Sequence, residues 1–184
     1  RDRNLNNLAE LGLIDTSKKI SNTGGRNATA YSYIEKARYA VGLYLNRHHI
    51  NCVAVDLSGN VISLIRVREN FDLNDDNYLR KIGETVEEVK KDTGLSDDRF
   101  LGVGIAVQGL ISDDGERVTY GLTLNFTGVT RADIAKYIPY HNRLFHDSAA
   151  AGYAEVWDRN DLDDAFYLSL SNLSLIHISE PTRH

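Results

Sequence analysis

Methionine is absent from the sequence, cysteine occurs once and proline twice. With Arg at position 1 and no Met, the reading frame is expected to begin upstream of residue 1. The lone Cys52 excludes an internal disulfide, and any zinc site built from several cysteines, within these residues. That fits a reducing, cytoplasmic setting. No apolar run approaches the roughly 18 residues that cross a bilayer, and no basic-then-apolar leader opens the chain, so no membrane partner is expected. Internal repeats and low-complexity segments are lacking too.

What is present describes a chain able to bury a core: 184 residues, 42% hydrophobic and 26% charged, room for one domain or one domain plus part of another. The net charge of -5 would argue against nucleic acid if it were spread evenly. Residues 1–38, however, carry seven Lys/Arg against four Asp/Glu, a sum of +3, and the remainder, with fourteen against twenty-two, sums to -8. A small basic piece is joined to an acidic body, and the asymmetry points to a nucleic-acid-facing terminus.

Along the chain, Leu5, Leu8 and Leu11 recur at helical spacing and Gly12 follows where a helix stops in a left-handed cap. The stretch Ser21-Asn22-Thr23-Gly24-Gly25-Arg26 then reads as the turn of a small hairpin that ends in a strand from Ala28 to Ile34. Composition shifts near Arg38, where we place a domain boundary. Three Val/Ile-rich runs follow, Tyr39 to Leu45, His49 to Leu57 and Val61 to Val67, the last two separated by the tight turn Ser58-Gly59-Asn60. They predict an antiparallel meander. Leu79, Ile82, Val86 and Val89 mark one face of a helix that Thr93-Gly94 ends. Phe100 to Val107 is apolar on both faces and predicts a central parallel strand. Two more strand-helix steps follow: Arg143 to Phe145 leading into Ser148 to Trp157, and a last strand from Ala165 to Leu170. Three antiparallel strands, a helix and then alternating parallel strands and helices predict an α/β lobe with a mixed sheet and helices on both faces, the order of the ribonuclease H-like (actin-like ATPase) fold. Ligands in such sheets collect at the carboxyl ends of strands, here the loops after Leu45, Val107 and Phe145.

Those loops carry the informative residues. Leu101 to Leu110, Asn125, and His146-Asp147 followed by small residues and Glu155 together resemble the ROK family of sugar-responsive repressors and sugar kinases, whose pattern is Gly-x-Gly-Ile-x-x-x-Gly, an Asn before a Gly-containing turn, and Asn-Asp ahead of small residues and a Glu. The resemblance runs from about Leu5 to Asn172. Leu8 to Ile14 and Ser21 to Arg26 look like the end of a winged helix-turn-helix and its wing, as in the repressors. Lys18, Lys19 and Arg26 would then face DNA phosphates, which position a protein without reading sequence; the plainer alternative is a solvated hairpin.

The resemblance also implies site residues. A kinase of this family needs Asp-x-Gly-Gly-Thr after the first strand, because glycines let backbone N–H groups approach ATP and the Asp helps hold the metal. Tyr44-Leu45-Asn46-Arg47-His48 stands there instead, so phosphoryl transfer is not expected. Arg47 is read as a solvated turn residue or an anion contact. Asp147 matches the general base of the kinases and, in repressors, an acceptor for sugar hydroxyls; from local sequence alone the favoured reading is a helix N-cap, and the resemblance reverses that order. Asn125 matches a sugar-contacting Asn, or is a turn residue. Gly109 lets the loop backbone approach the sugar, or serves a tight turn. His146 replaces the usual Asn and brings a group that titrates near neutrality.

Beyond Asn172 the family's Ile-Gly-Gly segment has no counterpart, and Leu173 to His184 resembles translated adapter sequence; His177 and His184 are not read as metal ligands. The expected organisation is therefore 1–38, the remnant of a winged helix-turn-helix; 39–172, the N-terminal lobe of a ROK sugar-binding domain; and 173–184, a non-native tail. The resemblance implies a non-enzymatic repressor fragment. Its complete form would bind operator DNA and a sugar or sugar derivative as a homo-oligomer. No cofactor is implied within these residues, and a structural zinc is implied in the second lobe. The alternatives are a ROK sugar kinase and a sugar-binding module without DNA binding.

Overall fold

The computed structural model describes residues 2–17, 19–20, 28–158, 167–169 and 177–179. Helix α1 (Asp2–Glu10) ends as its glycine predicts: Gly12 has φ +67, and the Leu13 and Gly12 N–H groups donate to the carbonyls of Leu8 and Ala9. Next come β1 (Ile14–Asp15), β2 (Lys19–Ile20), β3 (Ala28–Thr29) and β4 (Ser32–Tyr33). The pairs β1 with β4 and β2 with β3 are both antiparallel, giving an interrupted hairpin where one strand from Ala28 to Ile34 was expected. On the other side of the hairpin the Asp15 carboxylate accepts from the Ser17 N–H and hydroxyl, a local turn that competes with continued pairing.

A five-stranded sheet follows, built from β5 (Tyr39–Leu45), β6 (His49–Asp56), β7 (Val61–Arg68), β8 (Phe100–Val107) and, after an excursion away from the sheet, β11 (Asn142–His146). Its order is β11-β8-β5-β6-β7, with β5, β6 and β7 antiparallel and β8 and β11 parallel to β5. Alternation decides the faces. Tyr39, Val41, Leu43 and Leu45 of β5 are buried, whereas Ala40, Gly42 and Tyr44 are half-buried on the other side.

Helix α2 (Asp76–Asp92) covers the buried face. Asp75 caps it by accepting from the Asn77 N–H at 2.9 Å, Lys90 and Lys91 complement its carboxyl end, and Gly94 closes it at φ +65. Ile82, Val86 and Val89 join Leu45, Ile50, Ile105 and Val107 in one core, each such burial stabilising by about 1.5–3 kcal/mol. Between β8 and β11 lie β9 (Leu110–Ile111), β10 (Val118–Tyr120) and the single-turn α3 (Arg131–Ile134), which a Thr130/Asp133 capping box starts.

Two glycines set the spacing of this side. At Gly83 of α2 a Cβ would lie 2.5 Å from the Tyr137 carbonyl oxygen. At Gly102, φ +133, it would lie 2.5 Å from that of His141, to which the Val103 N–H donates. Helix α4 (Asp147–Asp158) leaves β11 and crosses the opposite face, where Ala150 and Tyr153 line a cavity of about 370 Å³ with Gly42, Gly104 and Phe145, and Trp157 reaches the turn at Gly59. The final strand β12 (Tyr167–Ser169) does not extend the sheet; it pairs antiparallel with β13 (His177–Ser179). Among the described residues no helix is long and apolar enough to cross a membrane.

Candidate functional site

The parallel pairing of β5, β8 and β11 brings their carboxyl ends together, with Leu45 opposite Val107 and Val107 opposite His146. There a cavity of about 340 Å³ is lined by Tyr44, Ala106, Asp147, Ser148, Ala150 and Ala151, within the usual size range for small-molecule sites. The small side chains of the first turn of α4 leave the space, and Asp147 supplies its carboxylate.

Asp147 accepts the Ser148 N–H at 2.8 Å, taking up a free donor at the start of α4, and it remains 28% exposed beside the cavity. His146 lies with its Nδ1 3.4 Å from Asp147 Oδ1 and 2.6 Å from the Ser148 hydroxyl, a hydrogen bond that fixes the ring next to the carboxylate.

Tyr44 lines the cavity, and Gln108, off the lining, holds its hydroxyl. Gln108 Nε2 donates to the Tyr44 hydroxyl oxygen at 3.1 Å. Desolvation, followed by the charge of Asp147, pushes the Tyr44 phenol above its ordinary value despite the bond from Gln108. Sequence reading treated Tyr44 only as the loss of an Asp and passed over Gln108 and Ser148. The available signal was a bulky hydroxyl-bearing residue at a strand end that faces the predicted ligand loops.

The other expected residues are placed differently. Gly109 does not line the cavity; a Cβ there would lie 2.9 Å from Val118 Cγ1 and 3.2 Å from Phe126 Cζ, so its missing side chain makes room for the β9–β10 hairpin. Asn125 is exposed and adopts φ 52, a left-handed turn conformation that Asn tolerates. It too lies off the cavity lining. Arg47 donates to the Thr123 carbonyl at 2.8 Å, tying the turn after β5 to the loop that carries Asn125. Glu155 is exposed on α4. Lys18 and Arg26 lie outside the described residues, and Lys19 is described only as backbone of β2. Among the described residues no group of three or more His, Cys, Asp or Glu is placed to hold a metal ion.

Solved structures share this fold. A ROK family transcriptional regulator, a homolog of the E. coli MLC protein, matches over 91% of this chain and 43% of its own, with TM-score 0.65 and 16% identity. The fold is that of ROK proteins. A ROK family glucokinase from Streptomyces griseus, solved with glucose and AMPPNP, matches over 73% of the chain and 42% of its own at TM-score 0.56 and 16% identity. ROK hexokinase from Thermus thermophilus matches over 72% and 43% at TM-score 0.57 and 18% identity. The chain thus spans less than half the length of these ROK structures, and the ROK-like part is a ribonuclease H-like lobe with a mixed five-stranded sheet. No family profile matches the sequence, and no curated protein matches it.

Proposed function

We propose that this chain is part of a sugar-responsive ROK transcriptional repressor, residues 1–38 deriving from its winged helix-turn-helix and residues 39–172 from the first lobe of its sugar-binding domain, with 173–184 a non-native tail. The observation that carries this reading is the piece ahead of β5. Helix α1 and the β1–β4 hairpin have the order of a helix and wing. Similarity to the regulator also extends over 91% of the chain, against 73% and 72% for the two kinases. That difference is close to the share of the chain ahead of β5. Further support comes from Tyr44, which stands where phosphoryl transfer would need a metal-binding carboxylate.

In this reading Asp147 accepts hydrogen bonds from sugar hydroxyls, Lys18, Lys19 and Arg26 contact operator phosphates, and the complete protein acts in the cytoplasm as a homo-oligomer matching two half-sites. The second reading, an ATP-dependent sugar kinase, is favoured by Asp147 at the β11–α4 junction, beside a cavity, in a fold it shares with a glucokinase and a hexokinase. The test uses protein expressed from the uninterrupted gene. Fluorescence anisotropy should show it binding DNA from its own promoter region and releasing it when a sugar is added, with no ATP consumed. Sugar-dependent ATP turnover would establish the kinase instead.

A further inference from the structure

Tyr44 stands opposite Ala106 in the parallel pairing of β5 and β8, so Gln108, two residues on, reaches its hydroxyl at 3.1 Å. Because the phenol oxygen receives the amide hydrogen, its own O–H is left to donate. Burial and the neighbouring Asp147 charge hold it above the ordinary tyrosine range, which keeps it un-ionised at neutral pH. The cavity therefore pairs a donor, Tyr44, with a charged acceptor, Asp147, beside the Ser148 hydroxyl, itself bonded to His146 Nδ1, and a wall of Ala106, Ala150 and Ala151. Among the described residues neither Lys nor Arg lines it, and Arg47, in the turn that follows Tyr44, is engaged on the Thr123 carbonyl. A sugar hydroxyl, both donor and acceptor, satisfies this pair. A phosphate dianion meets a carboxylate with no counter-charge in the lining.

We propose that Tyr44, held by Gln108, sets the ligand specificity of the Asp147 cavity: the phenol donates to, and the carboxylate accepts from, the hydroxyls of an uncharged sugar, and the cavity rejects the same sugar once it is phosphorylated. The proposal rests on the sugar-binding reading above. Isothermal titration of the full chain with glucose, xylose and glucose 6-phosphate tests it. An uncharged sugar should bind at least about tenfold more tightly than the phosphate. Tyr44→Phe keeps the ring and should weaken that binding roughly 3- to 10-fold, the worth of one neutral hydrogen bond. Gln108→Leu should act in the same direction, and the double variant should lose less than the product of the two effects because the pair works as a unit. Equal or tighter binding of glucose 6-phosphate overturns the proposal, as does unchanged sugar affinity in a Tyr44→Phe protein with an unaltered melt. In either case the sugar-binding reading survives. If neither sugar nor the phosphate binds, that reading and the proposal fall together.

Discussion

Substituting Gly83 by alanine tests whether close approach of α2 to the segment after α3 sets the geometry of the parallel half of the sheet. An added Cβ would sit 2.5 Å from the Tyr137 carbonyl oxygen and 2.8 Å from Tyr137 Cβ, where ordinary contact begins at 3.4 Å, so the two segments must part by nearly 1 Å. Overpacking of this kind costs about 1–3 kcal/mol, and the helical gain of Ala over Gly returns about 1 kcal/mol. The net expectation is a loss of up to about 2 kcal/mol, which lowers the melting temperature by up to about 8 °C for a chain of this size. Parting the segments also pulls Tyr137 away from Asp76, whose carboxylate accepts from its hydroxyl at 2.8 and 2.9 Å, and from Arg80, whose guanidinium lies 4.5 Å from its ring centroid. Thermal and urea unfolding followed by far-ultraviolet circular dichroism measure the effect. Gly94→Ala is the control, since nothing lies within 4 Å of its added carbon and only its φ of +65 opposes the change. If Gly83→Ala raises the melting temperature, helix propensity has won and the close-approach argument is refuted.

Further expectations follow from groups away from the cavity. The Cys52 thiol is fully buried and burial pushes it up to about 12, so at pH 8 its thiolate fraction is on the order of 10⁻⁴. Ellman's reagent should leave it unmodified in native protein and titrate one thiol in urea. Asp76 is held down to about 2 by hydrogen bonds from Lys136 first and Tyr137 second. Its folded value lies below the unfolded one, so it stabilises above about pH 4 and that contribution disappears as pH falls toward 2. Asp76→Asn should flatten the acid limb of a stability profile over that window. Lys90, 6% exposed, places its ammonium 3.9 Å from the Tyr140 ring centroid, 4.8 Å from that of Phe100 and 3.2 Å from Asp97. Burial works against its charge, but the bonds it donates to Tyr140 and Asp97 leave the ammonium above its ordinary value. Lys90→Met should destabilise by about 0.5–2 kcal/mol in urea titration, the range of a cation–π contact.

Strands β5 to β8 and helix α2 are legible in the sequence because their patterns are set by burial on known faces. Val41, Leu43 and Leu45 alternate, and Ile82, Val86 and Val89 recur at helical spacing, with Thr93-Gly94 as punctuation. The site is legible only in part. Asp147 was found because a motif carries it, whereas the Tyr44–Gln108 bond joins residues 64 apart and depends on the β5–β8 register, which no local pattern encodes. Arg47 on Thr123 spans 76 positions for the same reason. Gly109 showed the reverse failure: its missing side chain answers to Val118 and Phe126, neighbours that folding supplies. Between β1 and β2 the Asp15 carboxylate accepts from Ser17, a local turn that strand propensity does not register.

Trp157 is the single tryptophan of the chain, 72% exposed near the end of α4, and it lies beside the turn at Gly59. Asp147 opens the same helix ten residues earlier. The chain therefore carries an intrinsic optical probe of its own site. Emission wavelength and acrylamide quenching of Trp157 report whether α4 is seated on the sheet, and hence whether the carboxylate at its other end is presented to a ligand, without any label being attached.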